Sequence, residues 1–277
     1  MKATLKKYAN SGYRKVEGWL NPIAVEVIMD LALMQDELGI SGPVCEIGVH
    51  HGKLFILLHL LASENQNSVA WDLFERQEEN VDGSGKGNMP IFLANAKRAG
   101  CDLARIKAIT ANSLNLDVDT VERECAGKPR LFSIDGGHTA EATYNDLILA
   151  HGSLADGGLI ILDDYFNEAW PAVSEGACRY MDGPGRGLFP VVIVGNKFIL
   201  TNSEIVAQKG IDRLDRAHSW HIPQRSHVFG HEVLALTPVK RSIQGFVRQT
   251  EIWREMKDTP LGKRIKKWRN HKGLAGC

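Results

Sequence analysis

No stretch of this sequence is apolar for long enough to cross a bilayer, its formal net charge is zero, and its five cysteines contain no Cys-x-x-Cys pair. Each shortage excludes something. Without a membrane-length run, no spanning helix is expected, and Met1 to Lys15 lacks the apolar centre of a secretory signal. With 33 basic and 33 acidic residues the chain has no overall field to gather polyanions, so no nucleic-acid partner is expected. Cys45, Cys101, Cys125, Cys178 and Cys277 are odd in number and scattered, which favours a reducing compartment and hence the cytoplasm. Cys45 lies inside an apolar run and is read as a small core residue. There is no internal repeat and no low-complexity tract.

What is present is alternation. The chain has 277 residues, 44% of them hydrophobic, enough for one large core with extensions. Asn21-Pro22 is a helix start, and Ile23, Val27, Ile28, Leu31, Met34 and Leu38 form an apolar stripe that Gly39 closes. A strand over Val44 to Gly48 and a helix from about Gly52 to Ala62 follow. Further strands are expected near 68–72, 105–110, 130–135 and 158–163, with helices near 88–99, 114–125, 139–151 and 171–181. Strands alternating with helices predict an α/β fold with a doubly wound, mostly parallel sheet. Phe189 to Val194 and Lys197 to Thr201 flank the turn dipeptide Gly195-Asn196, a terminal antiparallel hairpin.

The organisation expected is an N-terminal helical segment over 1–40, a core over 41–203 and a C-terminal extension over 204–277. Residues 204–238 are less regular and His-rich. The spacing of His218, His221, His227 and His231 invites a zinc reading, but no cysteine accompanies them and surface or interface histidines are favoured. From Lys240 to Lys272 there are 11 Lys or Arg against three acidic residues, with Trp253 and Trp268 among them. This basic helical tail could lie on an anionic membrane surface or dock on a protein, although a solvated face is favoured. Self-association is left open.

The first strand ends in Glu46-Ile47-Gly48-Val49-His50-His51-Gly52, where glycines let a ligand approach backbone amides at a helix start. A dinucleotide fingerprint requires a middle glycine where this chain has His50, and the Gly-Lys-Ser/Thr ending of a phosphate loop is missing. The run Gly83-Ser84-Gly85-Lys86-Gly87 neither follows a strand nor ends in Ser or Thr. Asp72, at the tip of the second strand and 24 residues after Gly48, can accept hydrogen bonds from a ribose diol. Without a ligand, Gly48 and Gly52 are turn chemistry and Asp72 a loop carboxylate.

Two carboxylate clusters carry the chemistry. Ile134-Asp135-Gly136-Gly137-His138 and Leu162-Asp163-Asp164-Tyr165 each follow an apolar run, and a helix-length segment separates them. Parallel strands joined by a crossover deliver their C-terminal ends to one rim, so Asp135, Asp163 and Asp164 can converge there. Carboxylates in one crevice repel unless a hard cation or protons neutralise them. Capping and loop solvation are the plainer alternatives. His138 could take a proton near neutral pH, or simply cap the next helix.

The Glu-x-Gly-x-x-x-Gly turn, Asp72, Gly157-Gly158 before the fifth strand and the reversed hairpin together resemble class I S-adenosylmethionine-dependent methyltransferases over about 40–201. The two carboxylate clusters more narrowly resemble the metal-dependent macrocin and cephalosporin-biosynthesis type O-methyltransferases. The resemblance implies a Rossmann-like methyltransferase fold and S-adenosyl-L-methionine held by Glu46, Gly48, Gly52, Asp72, Ser113 and Asp135. It also implies Mg²⁺ on Asp135, Asp163 and Asp164, and an acceptor that is a small hydroxylated molecule of sugar or natural-product type. Some relatives carry a second acid two residues after the first metal Asp. Gly137 stands there in this chain, which leaves His138, with Asp135, as the catalytic candidate. Tyr165, Phe166, Trp170 and Pro171 could wall the acceptor site. The alternatives are an NAD-dependent oxidoreductase on a similar sheet and a non-catalytic cofactor-binding scaffold subunit.

Overall fold

The computed structural model describes residues 3–219 and 223–236. His221, the basic segment 240–272 with its two tryptophans, and Cys277 lie outside the described residues. Helix α1 (Ala3–Asn10) leads to α2 (Pro22–Glu37), whose start is built as its sequence implies. Asn21 Oδ1 accepts the Ile23 amide at 3.1 Å, and Pro22 fills the first helical position, where a missing N–H costs nothing. Five βα units follow: β1 (Val44–Ile47) and α3 (Lys53–Leu61), β2 (Ser68–Asp72) and α4 (Met89–Ala99), β3 (Ile106–Thr110) and α5 (Val118–Cys125), β4 (Leu131–Ile134) and α6 (Ala140–Ser153), β5 (Leu159–Leu162) and α7 (Pro171–Asp182). The hairpin is β6 (Phe189–Val194) with β7 (Lys197–Thr201).

The sheet order is β3-β2-β1-β4-β5-β7-β6-β9-β8, parallel from β3 through β5. Strand β7 enters antiparallel between β5 and β6, which separates this sheet from the all-parallel dinucleotide-binding order. Side chains alternate between two cores. Val44, Ala70, Leu131, Ile161 and Ile199 face α2 and α3, whereas Cys45, Trp71, Phe132, Ile160 and Phe198 face the other way, toward α6 and α7. Cys45 is fully buried, as expected of a small core residue.

The segment expected to be irregular is a further structured unit: α8 (Glu204–Ala217), β8 (Gln224–Val228) and β9 (His231–Leu236). Strand β9 pairs parallel with β6, and among the described residues β8 forms the sheet edge. The reading missed β8 because it is largely exposed and all but one of its residues are polar, so no apolar alternation marks it. Arg225 in β8 binds Asp212 and Asp215 of α8 and Glu232 of β9. No helix among the described residues is long and apolar enough to cross a membrane.

Arg130, just before β4, is 1% exposed and locks α2 and α3 to the sheet at the end remote from the carboxylate rim. Its guanidinium donates to the Leu61 carbonyl at 2.8 Å and the Ile40 carbonyl at 3.3 Å, and pairs with Asp36. Gln35 Nε2 donates to the Arg130 carbonyl at 2.9 Å. Stranding a buried carbonyl costs about 1–3 kcal/mol. Arg130→Leu is therefore expected to lower the free energy of urea unfolding by about 2 kcal/mol or more. Asp36→Asn, at the solvent end of the same pair, should cost under about 1 kcal/mol; equal costs would overturn this account.

Candidate active site

The C-terminal ends of β1 to β5 open into one cavity of about 560 Å³, within the range of small-molecule sites. Glu46, Gly48, Asp72, Ser113, Asp135, His138, Asp163 and Asp164 all line it, so the sequence candidates meet in one place. Gly52 does not line it.

The glycine turn is explained first by packing. Gly48 has φ +80°, and a Cβ there would overlap the Asp135 carbonyl oxygen; at Gly52, with φ +86°, it would overlap the Phe92 ring. Asp72 also has structural duties. Its Oδ2 accepts the amides of Val49 and His50, each at 2.7 Å, and its Oδ1 accepts the Phe74 amide at 2.6 Å. A carboxylate offers roughly four lone-pair directions, so about one remains for a ribose hydroxyl. Ser113 is buried at the start of a short 3₁₀ turn after β3, and its carbonyl accepts Asn145 Nδ2 at 2.9 Å.

The rim is dense in charge. Glu46 is buried, accepts the Ser133 hydroxyl at 3.0 Å and has no partner for Oε2 among the described residues. Burial, reinforced by the Asp135 charge, pushes its carboxyl well above the ordinary range. Asp135 is raised likewise, by desolvation and then by Asp163. Asp163 is taken up by its neighbours: Oδ2 by the buried Lys197 ammonium and Oδ1 by the Asp164 amide at 2.9 Å. Burial works against the charge on Lys197, but Asp163 and Asp135 outweigh it and keep it protonated.

Asp164 sits in the left-handed region at φ +57°, a backbone conformation costly for a non-glycine residue and often found at working sites. Its Oδ1 accepts Asn167 Nδ2 at 2.9 Å and Asn196 Nδ2, and its Oδ2 lies 3.0 Å from His138 Nε2. Burial opposes its ionisation, yet these three donors hold its pKa below the usual value. The group that converges is therefore Asp135, His138 and Asp164, with one ligand atom from each lying within 4.8 Å of the others. Of the three expected aspartates, Asp135 and Asp164 fall in this group with His138, and Asp163 lines the same cavity with its Oδ2 on Lys197.

His138 does more than cap a helix; Thr139 is the cap of α6. The ring stacks on Trp170 at 4.4 Å, and Nδ1 lies 2.9 Å from Asp82 Oδ2 and 3.0 Å from Ser84 Oγ. Asp82 also accepts the His138 amide at 2.7 Å. Burial would raise the Asp82 pKa, but His138 and Ser84 bring it down to about 2. Burial also disfavours protonated His138, but Asp164, Asp135 and Asp82 override this and raise it to about 9.

Sequence reasoning missed Asp82, Lys197 and Asn196. Asp82 carries no signal beyond preceding the glycine run. Lys197 does carry one, as a cation next to the hairpin turn at the start of a strand that is otherwise apolar. Of the proposed aromatic wall, Trp170 lines the cavity, Tyr165 is buried against Phe198 at 4.5 Å, and Phe166 is 62% exposed. The described histidines of the zinc reading disperse: His218 lies 2.9 Å from Asp30, His231 packs on Phe189, and His227 faces Glu232 across the β8–β9 hairpin.

Residues 45–165 match the family model of a methyltransferase domain. The structure is similar to that of an O-methyltransferase from Bacillus cereus in complex with SAH, with 18% identity, 72% of this chain and 90% of that chain covered, and a TM-score of 0.50. It is also similar to the O-methyltransferase NovP, at 14% identity, 65% and 81% coverage and a TM-score of 0.51. No curated protein matches by sequence. The chain thus has a class I S-adenosylmethionine-dependent methyltransferase fold with a candidate metal cluster at its rim.

The raised pKa of His138 has a sign. The stabilisation from its charged form is complete below the ordinary value near 6.5 and is lost as pH rises through about 9. In chelator-treated protein, urea stability should fall between pH 6.5 and 9.5, and this fall should be smaller in His138→Gln. An unchanged slope in the variant would overturn the assignment.

Proposed function

We propose that this chain is an S-adenosylmethionine-dependent, Mg²⁺-assisted O-methyltransferase acting on a hydroxyl of a small acceptor of sugar or natural-product type. The observation that carries the reading is the convergence of Asp135, His138 and Asp164 in the cavity that also holds the β1 turn and Asp72. The donor set suits a hard divalent ion. Asp164 is ionised and pre-oriented by two asparagines, while burial and the neighbouring Asp163 raise the pKa of Asp135, a shift that a bound cation would oppose. Asp135 and Asp164 would hold the ion, with Asp163, fixed by Lys197, behind them. Bound there, a divalent cation supplies positive charge that lowers the pKa of an acceptor hydroxyl.

The sulfonium cofactor supplies an electrophilic methyl carbon and leaves as a neutral thioether. The β1 turn, Asp72 and Ser113, which line one cavity, would hold it. The residues of the chain do the remaining work. His138 Nε2 stands at the carboxylate pair and is the group to take the hydroxyl proton, while Asp82 on Nδ1 fixes the direction of the ring. In the absence of a second cation the ring is charged; positive charge on Asp135 and Asp164 would displace that proton and leave a basic nitrogen. Trp170 offers a flat face beside His138, and Trp19 and Val81, 83% and 70% exposed, add apolar rim to the mouth, which suits an acceptor with an apolar ring face.

Calorimetric titration with S-adenosylmethionine, NAD and NADP should show binding of the first alone; binding of a nicotinamide cofactor alone would sink the proposal. Methyl transfer to a panel of polyols and phenols should disappear with chelator and return with Mg²⁺. Asp164→Asn should abolish transfer while cofactor binding persists. His138→Ala should lower turnover about 100-fold or more. Full turnover in His138→Ala at every pH would remove the proton-transfer role.

A further inference from the structure

Glu17, His50 and His51 form a second cluster outside the carboxylate rim. One ligand atom from each lies within 4.8 Å of the others. Nδ1 of His50 and Nδ1 of His51 are both buried and have no hydrogen-bond partner among the described residues; Glu17 Oε2 stands 3.4 Å from His51 Nδ1. A buried imidazole nitrogen without a partner costs free energy unless something coordinates it. The rings stack at 3.9 Å with 25° between their planes, so their in-plane lone pairs run side by side, and shared coordination requires one ring to turn away from the other. Burial and the neighbouring His51 hold His50 below its ordinary pKa, although Glu17 and Asp72 pull the other way.

The backbone that carries the rings is pinned. His50 sits at φ +51°, in the left-handed region, with its amide on Asp72. The His51 carbonyl accepts Asn95 Nδ2 at 2.9 Å. On the opposite side, the Gly18 carbonyl binds the Lys53 ammonium, which ties the 17–19 segment down and occupies that cation. The turn needs no histidine for its own geometry, and the proton-transfer chemistry proposed above uses neither ring. From this we infer that Glu17, His50 and His51 bind a borderline transition-metal ion of the Zn²⁺ class, with one position open to the cavity that Glu17 and His50 line.

Two nitrogens and a carboxylate oxygen form the three-ligand set of an open zinc site, and Mg²⁺ would not select it. Metal bonds of 2.0–2.2 Å place tetrahedral ligand atoms about 3.3–3.5 Å apart. The Glu17 side chain, 78% exposed, has the freedom to close from the present spacing. The ion would brace the N-terminal segment against the start of α3 at the cavity mouth. This inference does not rest on the reaction proposed above.

The test uses the full-length chain, stripped of metal and titrated with Co²⁺ while its visible absorption is recorded. One equivalent of Co²⁺ should produce the strong d–d bands of a low-coordinate N/O site, and Zn²⁺ should bleach them. Loss of an outer-shell partner already costs 10–100-fold in affinity, so His51→Gln should weaken binding by about 100-fold or more. Glu17→Gln, changed at an exposed side chain that leaves folding intact, should weaken it measurably. Asp164→Asn should leave it unchanged, which separates this site from the rim. The inference is overturned by the lack of a saturable spectrum, by a spectrum that survives both His51→Gln and Glu17→Gln, or by one lost in Asp164→Asn or His231→Gln.

Discussion

The rim of the sheet stands or falls on charge balance. Parallel topology brings Glu46, Asp135 and Asp163 to the same end because β1, β4 and β5 all finish there. Three acids in a half-dry crevice cannot all be ionised without compensation. The compensation comes from the strand that breaks the rule. Because β7 runs antiparallel, its first residue lies where its neighbours end, and the pairing of Leu162 with Phe198 sets Lys197 beside Asp163. A sixth parallel strand in that place would begin at the far edge and bring no cation. The reversal is therefore an electrostatic device as well as a topological one.

The rest of the site is assembled from segments distant in sequence. His138 reaches back 56 residues to Asp82, and Tyr8 donates to the Lys53 carbonyl 45 residues ahead at 2.8 Å. Such contacts place loop closure in the cost of the cavity, offset by the two continuous apolar cores beneath. The loop bearing Asp82 and the N-terminal segment thus form the walls of the cavity, while strand tips supply its floor.

Much of the fold could be read in the sequence because β1, β4 and β5 are short buried apolar runs bounded by glycines, and all five parallel strands lie within two residues of their expected spans. The carboxylates were readable for the same reason, since Asp135, Asp163 and Asp164 end such runs. Division of labour among them was not, because Lys197 claims Asp163 from across a hairpin and Asp82 reaches His138 from a polar loop, neither of which periodicity encodes. Asp72 lines the cavity, but the sequence did not show that most of its hydrogen-bonding capacity serves the amides of Val49, His50 and Phe74. Strand β8 escaped because an edge strand with one apolar residue has no pattern to detect.

That edge strand has a consequence beyond the single molecule. An unpaired strand offers its N–H and C=O groups to any extended chain that approaches. Arg225, the second residue of β8, is held by three carboxylates from two elements, so a strand docking there would have to dehydrate a four-membered ionic cluster. At the opposite border, Lys107 of β3 is paired with Glu124. Among the described residues, both ends of the sheet therefore carry hydrated charge, which resists growth of the sheet from one molecule into the next at those borders.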